Sequence, residues 1–422
     1  MTGPRFLILD TPGTHLGLNG GFLEVRERSA DARATGGFSY RLLHPRELSV
    51  RAVVVIGESW SVTGAALRAL AAVGVPLFCL SASGRLVSVV APAAPLAGGP
   101  LKIAQVAAAL DGERRLEVAR AVLAAKLASQ VRHAAEVSAA FDLPALDIGK
   151  MDQAVLSARD VPTLRLIEAH ASSRYFYLYA SALAKMGITW SGRGGANDHG
   201  NANAVDPVNA ALNLAFSVIE GLTRSAVLAT GLMPEVGYLH ETRDGKEALV
   251  YDLMESARWA GEAAVLSWVA GRVRAKGPRW SRGVGVVGER FTFRLTPAAV
   301  RRLFEELSLV LARRLDAVSG DGTGGRYVAS TADVQARRLA RWLKRDRGGG
   351  LDLRMNVRGG ERSGYLSPRD VERLLKLGPA DRRALGLRAN TIHYLRKRAA
   401  TGAPVRVYPQ VLRKLSSPDQ GS

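Results

Sequence analysis

One thiol is all this sequence offers. Cys79 lies within the apolar run Val75–Leu80, so neither an internal disulfide nor a cysteine-based zinc site can form. The thiol reads as a small buried hydrophobe. Long hydrophobic runs are missing too, with no uninterrupted apolar stretch reaching about 18 residues. The start, Met1-Thr2-Gly3-Pro4-Arg5-Phe6, lacks the basic and then apolar layout of a secretory leader. The expectation is a cytosolic (cytoplasmic) chain with no membrane partner. There are no internal repeats. Acid is in short supply: 38 Asp+Glu face 58 Lys+Arg, a formal net charge of +20. That imbalance says little about fold. It makes a polyanion the expected partner, since each neutralised phosphate releases a counterion. A genome biased towards Arg, Ala and Gly is the plain alternative.

What is present suffices for a sizeable core: 422 residues, 47% of them hydrophobic, or about three domains at roughly 150 residues each. The pattern predicts an α+β chain. A β-rich domain covers 1–95, a larger all-α domain 101–345, and a basic extension 346–422. In the first, Arg5–Asp10, Thr14–Leu18, Phe22–Arg28 and Leu48–Ile56 read as strands, with Asn19-Gly20-Gly21 as a hairpin turn. Leu67, Leu70 and Val73 share a face of a helix over Val62–Val73. Pro76–Ser81 and Arg85–Val90 follow as strands joined near Ser83-Gly84, and 91–100 is a linker. Helical spacing covers 101–140, 163–187, 206–231, 247–276 and 296–315. Two polar breaks interrupt it: 191–205, read as mobile or disordered, and 318–326.

Chemistry concentrates in three places. Asp206-Pro207 reads as the cap and first residue of a helix ending near Gly231, with Pro234 beyond it. His240 then falls in a loop, within Gly237-Tyr238-Leu239-His240. Asp252 and Glu255, three apart in a helix, place two carboxylates on one otherwise apolar face, beside Leu249, Leu253 and Met254. Such carboxylates need a counter-charge. A divalent cation would serve, hard oxygens suiting Mg2+ or Mn2+ and a histidine ligand tilting the preference to Mn2+. A solvated edge, with pairing to Arg258 or Lys246, is the plainer alternative. Glu168, alone, reads as a helix charge paired with Arg165 or His170.

The ordered set of segments resembles the CRISPR adaptation integrase family over roughly residues 5–345. It comprises the strand-turn-strand at Pro76–Val90, Ala124-Ala125-Lys126-Leu127-Ala128-Ser129-Gln130, Ile167-Glu168-Ala169 and Arg174-Tyr175-Phe176. Asp206–Asn213, Gly237–His240, Asp252–Glu255, Leu295-Thr296-Pro297 and Gln335–Leu339 follow. The resemblance implies a metal-dependent DNA endonuclease and integrase, with Glu168, His240 and Glu255 holding Mg2+ or Mn2+ and Asp252 as a nearby fourth carboxylate. A 3′-OH attacker would give strand joining, and water would give a nick. Arg174, Asn209 and Asn213 become candidates for orienting DNA, with helix capping and packing as the competing explanation. By the same resemblance the β-rich domain forms a homodimer, and in CRISPR systems two dimers clasp a small second adaptation protein. Ser129, Ser256-Ala257-Arg258-Trp259 and the long Asn-rich break at 191–205 depart from the family pattern.

The extension carries 16 Lys+Arg and 7 Asp+Glu. Residues 379–398 read as helix, turn at Gly386, and second helix, the layout of a helix-turn-helix. Arg388, Asn390 and Thr391 would face base edges, with Arg396, Lys397 and Arg398 on phosphates. A basic helical hairpin packed on the main body is the alternative. An extension of this kind is associated with casposon-encoded integrases, related transposases with shared chemistry and a different target. A DNA-binding protein that keeps the fold without catalysis is the third reading.

Overall fold

The computed structural model describes residues 5–28, 38–45, 50–91, 98–146, 151–193, 204–287, 292–315, 326–345, 350–355, 357, 375–376 and 395. The N-terminal region is strand-rich. β1 (Arg5–Leu9), β2 (Thr14–Asn19), β3 (Phe22–Arg28), β4 (Phe38–Leu43), β5 (Val50–Ile56) and β6 (Trp60–Val62) lead into α1 (Gly64–Ala72). The strands β7 (Leu77–Leu80) and β8 (Leu86–Val90) follow. Two four-stranded sheets result, ordered β4-β3-β2-β6 and β1-β5-β7-β8. The β2–β3 hairpin turns through Gly20 and Gly21 at φ of 56° and 84°, a region that favours glycine. β4 is an edge strand that was not expected from the sequence, and its Tyr40 and Leu42 stay exposed.

Strand alternation divides the second sheet between two cores. Val53, Val55 and Leu77 meet Leu16, Leu23, Val25 and Leu70 in a core inside the N-terminal region. Ala52, Val54, Phe78 and Leu80 point the other way, into the helices. Cys79 is half-buried against the first of these cores.

The helical domain contains α2 (Gly99–Leu110), α3 (Gly112–Phe141), α4 (Met151–Ser157), α5 (Val161–Lys185), α6 (Pro207–Thr230) and α7 (Ala248–Met254). A 3₁₀ turn over Glu255–Ala257 leads into α8 (Arg258–Lys276), the hairpin β9 (Gly285–Val287) and β10 (Phe293–Leu295), α9 (Pro297–Leu311) and α10 (Thr331–Leu343). Three expectations need correction. The helix expected over 101–140 is two, because Asp111 accepts from the Glu113 and Arg114 amides and so caps a new start. The helix expected over 247–276 breaks at the 3₁₀ turn. A β-hairpin interrupts the supposedly all-helical run.

α6 is the axis of the domain. Asp206 caps it, Pro207 begins it, and Gly231 ends it in the left-handed region at φ 83°, as the sequence suggests. By length and composition it could cross a membrane, but Leu212, Ala215, Val218, Ile219 and Leu222 are buried in the core. Each large side chain so buried contributes roughly 1.5–3 kcal/mol. A Cβ at Gly221 would sit 2.9 Å from the Phe78 ring, so the bare backbone there lets β7 lie against α6.

The helical domain continues past the boundary placed at 346: Leu353 and Val357 are buried in its core. The residues 194–203, most of 318–326 and most of the linker at 91–100 lie outside the described residues. So do Arg388, Asn390, Thr391, Arg396, Lys397, Arg398 and the helix-turn-helix expected around them.

Candidate metal centre

Three separate segments build the site. On α5, Asp160 caps the helix by accepting from the Thr163 amide, and Glu168 follows two turns later. The loop after α6 carries His240, and the 3₁₀ turn carries Glu255. Long-range hydrogen bonds fix that loop. Gln105 donates to the Met233 and Val236 carbonyls and accepts from the Met233 amide. Arg115 Nε donates to the Tyr238 carbonyl and Arg165 Nε to that of Leu239. A Cβ at Gly237 would lie 2.6 Å from Ala248 Cβ and 2.9 Å from its carbonyl carbon, which explains glycine at that place in the Gly-x-x-His segment.

Asp252 anchors the end of the loop. Its Oδ2 accepts from the Tyr238 and Leu239 amides at 2.6 and 3.1 Å. Its Oδ1 accepts from the His240 amide at 2.9 Å and lies 2.7 Å from His240 Nδ1. The imidazole is thereby oriented with Nε2 left over. Burial lowers the His240 pKa, but the Asp252 carboxylate more than offsets that and leaves it raised.

Glu168, His240 and Glu255 each offer one ligand atom, all within 4.8 Å of one another. Glu255 is 5% exposed, and its Oε1 accepts from Arg258 Nη1 at 2.8 Å. Its Oε2 is ion-paired to Lys126 Nζ at 2.7 Å. Burial raises the Glu255 pKa, but Arg258 and Lys126 outweigh it and hold the carboxyl well below the usual range. Lys126 Nζ also donates to Glu168 Oε1 at 2.5 Å. A cavity of about 270 Å³ opens beside these groups, walled by Phe176, Trp259, Arg258 and Glu262 among others.

This donor set fits a divalent ion. Two carboxylates and a neutral imidazole are ligands for Mg2+ or Mn2+. A carboxylate behind the histidine is a feature metal sites share.

The structure thus brings Glu168, His240 and Glu255 together, with Asp252 close behind His240. The Asp252 oxygens are taken up by three amides and the imidazole. The expected Glu168 partners, Arg165 and His170, give way to Lys126, while Arg258 does pair with Glu255. Asn209 and Asn213 accept from Arg193, and Asn209 also donates to Asp206 and Gly192, so their polar groups serve the fold here. Arg174 lies on the exposed side of α5. Sequence reasoning gave no role to Lys126, Gln105 or Gln335. A lysine among Val122, Leu123, Ala125 and Leu127, all buried, was the available signal for the first. Gln335 Nε2 donates to Ser256 Oγ and the Leu353 carbonyl, tying α10 to the turn that presents Glu255.

The fold is shared with solved structures of casposase and Cas1. A casposase bound to integration product shares the fold at TM-score 0.69 and 23% identity, over 83% of this chain and 93% of that one. A Cas1 protein from Thermotoga maritima does so at TM-score 0.61 and 18% identity, over 80% and 97%. The chain belongs to the Cas1 family: the family described as "CRISPR associated protein Cas1" matches residues 7–277. The CRISPR-associated endonuclease Cas1 of Korarchaeum cryptofilum is 31% identical over 237 residues, which is 53% of this chain and 69% of the relative. An endonuclease of the same name from Thermus thermophilus is 28% identical over 266 residues, 61% of this chain and 72% of that one.

Proposed function

We propose that the chain is a divalent-metal-dependent DNA endonuclease and integrase that joins DNA 3′-OH ends into target DNA, in the acquisition of CRISPR spacers. One observation carries the reading: Glu168, His240 and Glu255 converge within 4.8 Å from three separate segments. Mg2+ or Mn2+ held there would polarise a phosphodiester and lower the pKa of the attacking hydroxyl. The chain's own residues do the rest. Asp252 orients His240 and fixes its tautomer, Arg258 keeps Glu255 ionised, and Gln105, Arg115 and Arg165 set the loop that presents the imidazole. Arg174, on the exposed side of α5, is our candidate for contact with DNA, and Asn209 and Asn213 would reach it only on giving up their bonds to Arg193.

The excess of cationic residues suits duplex and branched DNA as the substrate. A second copy of the chain and a small second adaptation protein are the partners we assign; a structure titled "Cas6-RT-Cas1--Cas2 complex", named for a Cas1 with Cas2, shares the fold at TM-score 0.58. A second reading, transposon-borne integration, draws on the casposase neighbour's overlap with 83% of this chain and on the basic stretch beyond the helical domain.

The test is joining of a labelled 3′-OH oligonucleotide to a plasmid with Mn2+ or Mg2+. Glu168→Ala, His240→Ala and Glu255→Ala should each abolish the product while retaining the fold by circular dichroism. A folded variant with full activity removes that residue from the ligand set, and no joining by the unaltered chain favours a DNA-binding protein without catalysis. Plasmids bearing a repeat array or terminal-inverted-repeat targets separate the two integration readings.

A further inference from the structure

In this structure the clustered carboxylates are already neutralised from within. Lys126, in the middle of α3, is 4% exposed, with Nζ 2.5 Å from Glu168 Oε1 and 2.7 Å from Glu255 Oε2. The packing of α3 does not ask for a charge there, because Val122, Leu123, Ala125 and Leu127 around it are buried and apolar. A buried ammonium is costly unless opposite charges surround it. Arg258 binds only the other oxygen of Glu255. Among the described residues, Lys126 is the cation with an ion pair to both carboxylates.

We propose that Lys126 is the resident cation of the metal-free site, holding Glu168 and Glu255 together until a divalent ion displaces its ammonium. The inference rests on the metal-centre reading above. Two carboxylates brought this close repel each other, and a bridging ammonium removes that repulsion without a metal. An ion taking the same oxygens competes with Nζ for them, and a dication a few ångströms from an ammonium is repelled. Lys126 therefore preserves the geometry of the site before an ion binds and weakens its grip on the ion. Once displaced, the ammonium stays near the cluster on its flexible stem and needs a new anion. The phosphodiester is the anion that the reaction brings. Lys126 is in this sense a positioning residue.

The experiment titrates Mn2+ into full-length, chelator-stripped, DNA-free protein by calorimetry and records melting in chelator and in saturating Mn2+. Lys126→Met, similar in length and uncharged, should bind Mn2+ about tenfold more tightly than the unaltered chain, like-charge repulsion having gone. It should melt lower in chelator and recover most of the loss when Mn2+ is added. Lys126→Arg should leave affinity within about threefold. Equal or weaker Mn2+ affinity in Lys126→Met, or a melting loss of equal size with and without Mn2+, overturns the proposal. So does a Lys126→Met chain that fails to fold even with Mn2+, provided Lys126→Gln folds and shows no gain in affinity. Glu255→Gln distinguishes the two levels. If the unaltered chain binds no Mn2+, or Glu255→Gln binds it equally well, the metal centre itself is wrong. If Glu255→Gln abolishes binding while Lys126→Met leaves it unchanged, only the role of Lys126 falls.

Discussion

Replacing Asp252 by Asn is the sharpest perturbation the site permits. It changes no volume and removes one charge. Four donors converge on the two carboxylate oxygens: the amides of Tyr238, Leu239 and His240, and the His240 ring nitrogen. The side chain is fully buried, so water cannot substitute. An asparagine offers one carbonyl oxygen to this set and turns its NH2 towards two of the donors. Two buried donors left without an acceptor cost about 1–3 kcal/mol each, so stability should fall by about 2–6 kcal/mol. The imidazole also loses the partner that fixes its orientation, and loss of such a partner typically weakens metal binding about 10–100-fold. Urea unfolding measures the first quantity and Mn2+ titration of the folded variant the second. A stability change under about 1 kcal/mol together with unaltered Mn2+ affinity would refute the anchoring role of Asp252.

Three further outcomes follow. Gly237→Ala places a Cβ 2.9 Å from backbone and 2.6 Å from Ala248 Cβ, and should cost about 1–3 kcal/mol while lowering Mn2+ affinity; an unchanged melting temperature would speak against a rigid ligand loop. For Glu136, burial raises the carboxyl pKa, but two hydrogen bonds from Arg313 at 2.6 and 2.9 Å outweigh this and depress it. The folded value thus lies below the unfolded one of about 4.3, so this stability is present above that pH and is lost as pH falls through the folded value. Glu136→Gln should flatten the acid limb of a stability-against-pH curve, and an identical limb contradicts the pairing. Truncation after Val357, which spares the buried Leu353 and Val357, should weaken duplex binding and reduce the slope of log K against log salt; an unchanged slope rejects DNA contact by the extension.

Elements with strong local signals were legible in the sequence. Asp206-Pro207 and Gly231 bracket α6 because capping chemistry is local, and Val53 and Val55 read as strand because both faces of β5 are apolar. β4 was missed although Phe38, Tyr40 and Leu42 alternate with Ser39 and Arg41, and the break at Asp111 escaped because alanine-rich helix lies on both sides. At the site, the three ligands followed from a family resemblance and not from spacing. The residues that hold them are remote in sequence: Gln105 reaches Met233, Arg165 reaches Leu239, and Gln335 reaches Ser256. Asp252 lies in α7, which ends at Met254, and Glu255 in the 3₁₀ turn that follows.

The central claim is that one imidazole and two carboxylates from three segments hold a single ion. Electron spin-echo spectroscopy of Mn2+ bound to the full-length protein reads it most directly. The account predicts a nitrogen coupling from one imidazole, which disappears in His240→Gln while the protein stays folded. A bound ion with no such coupling, or a coupling that survives the substitution, would contradict it.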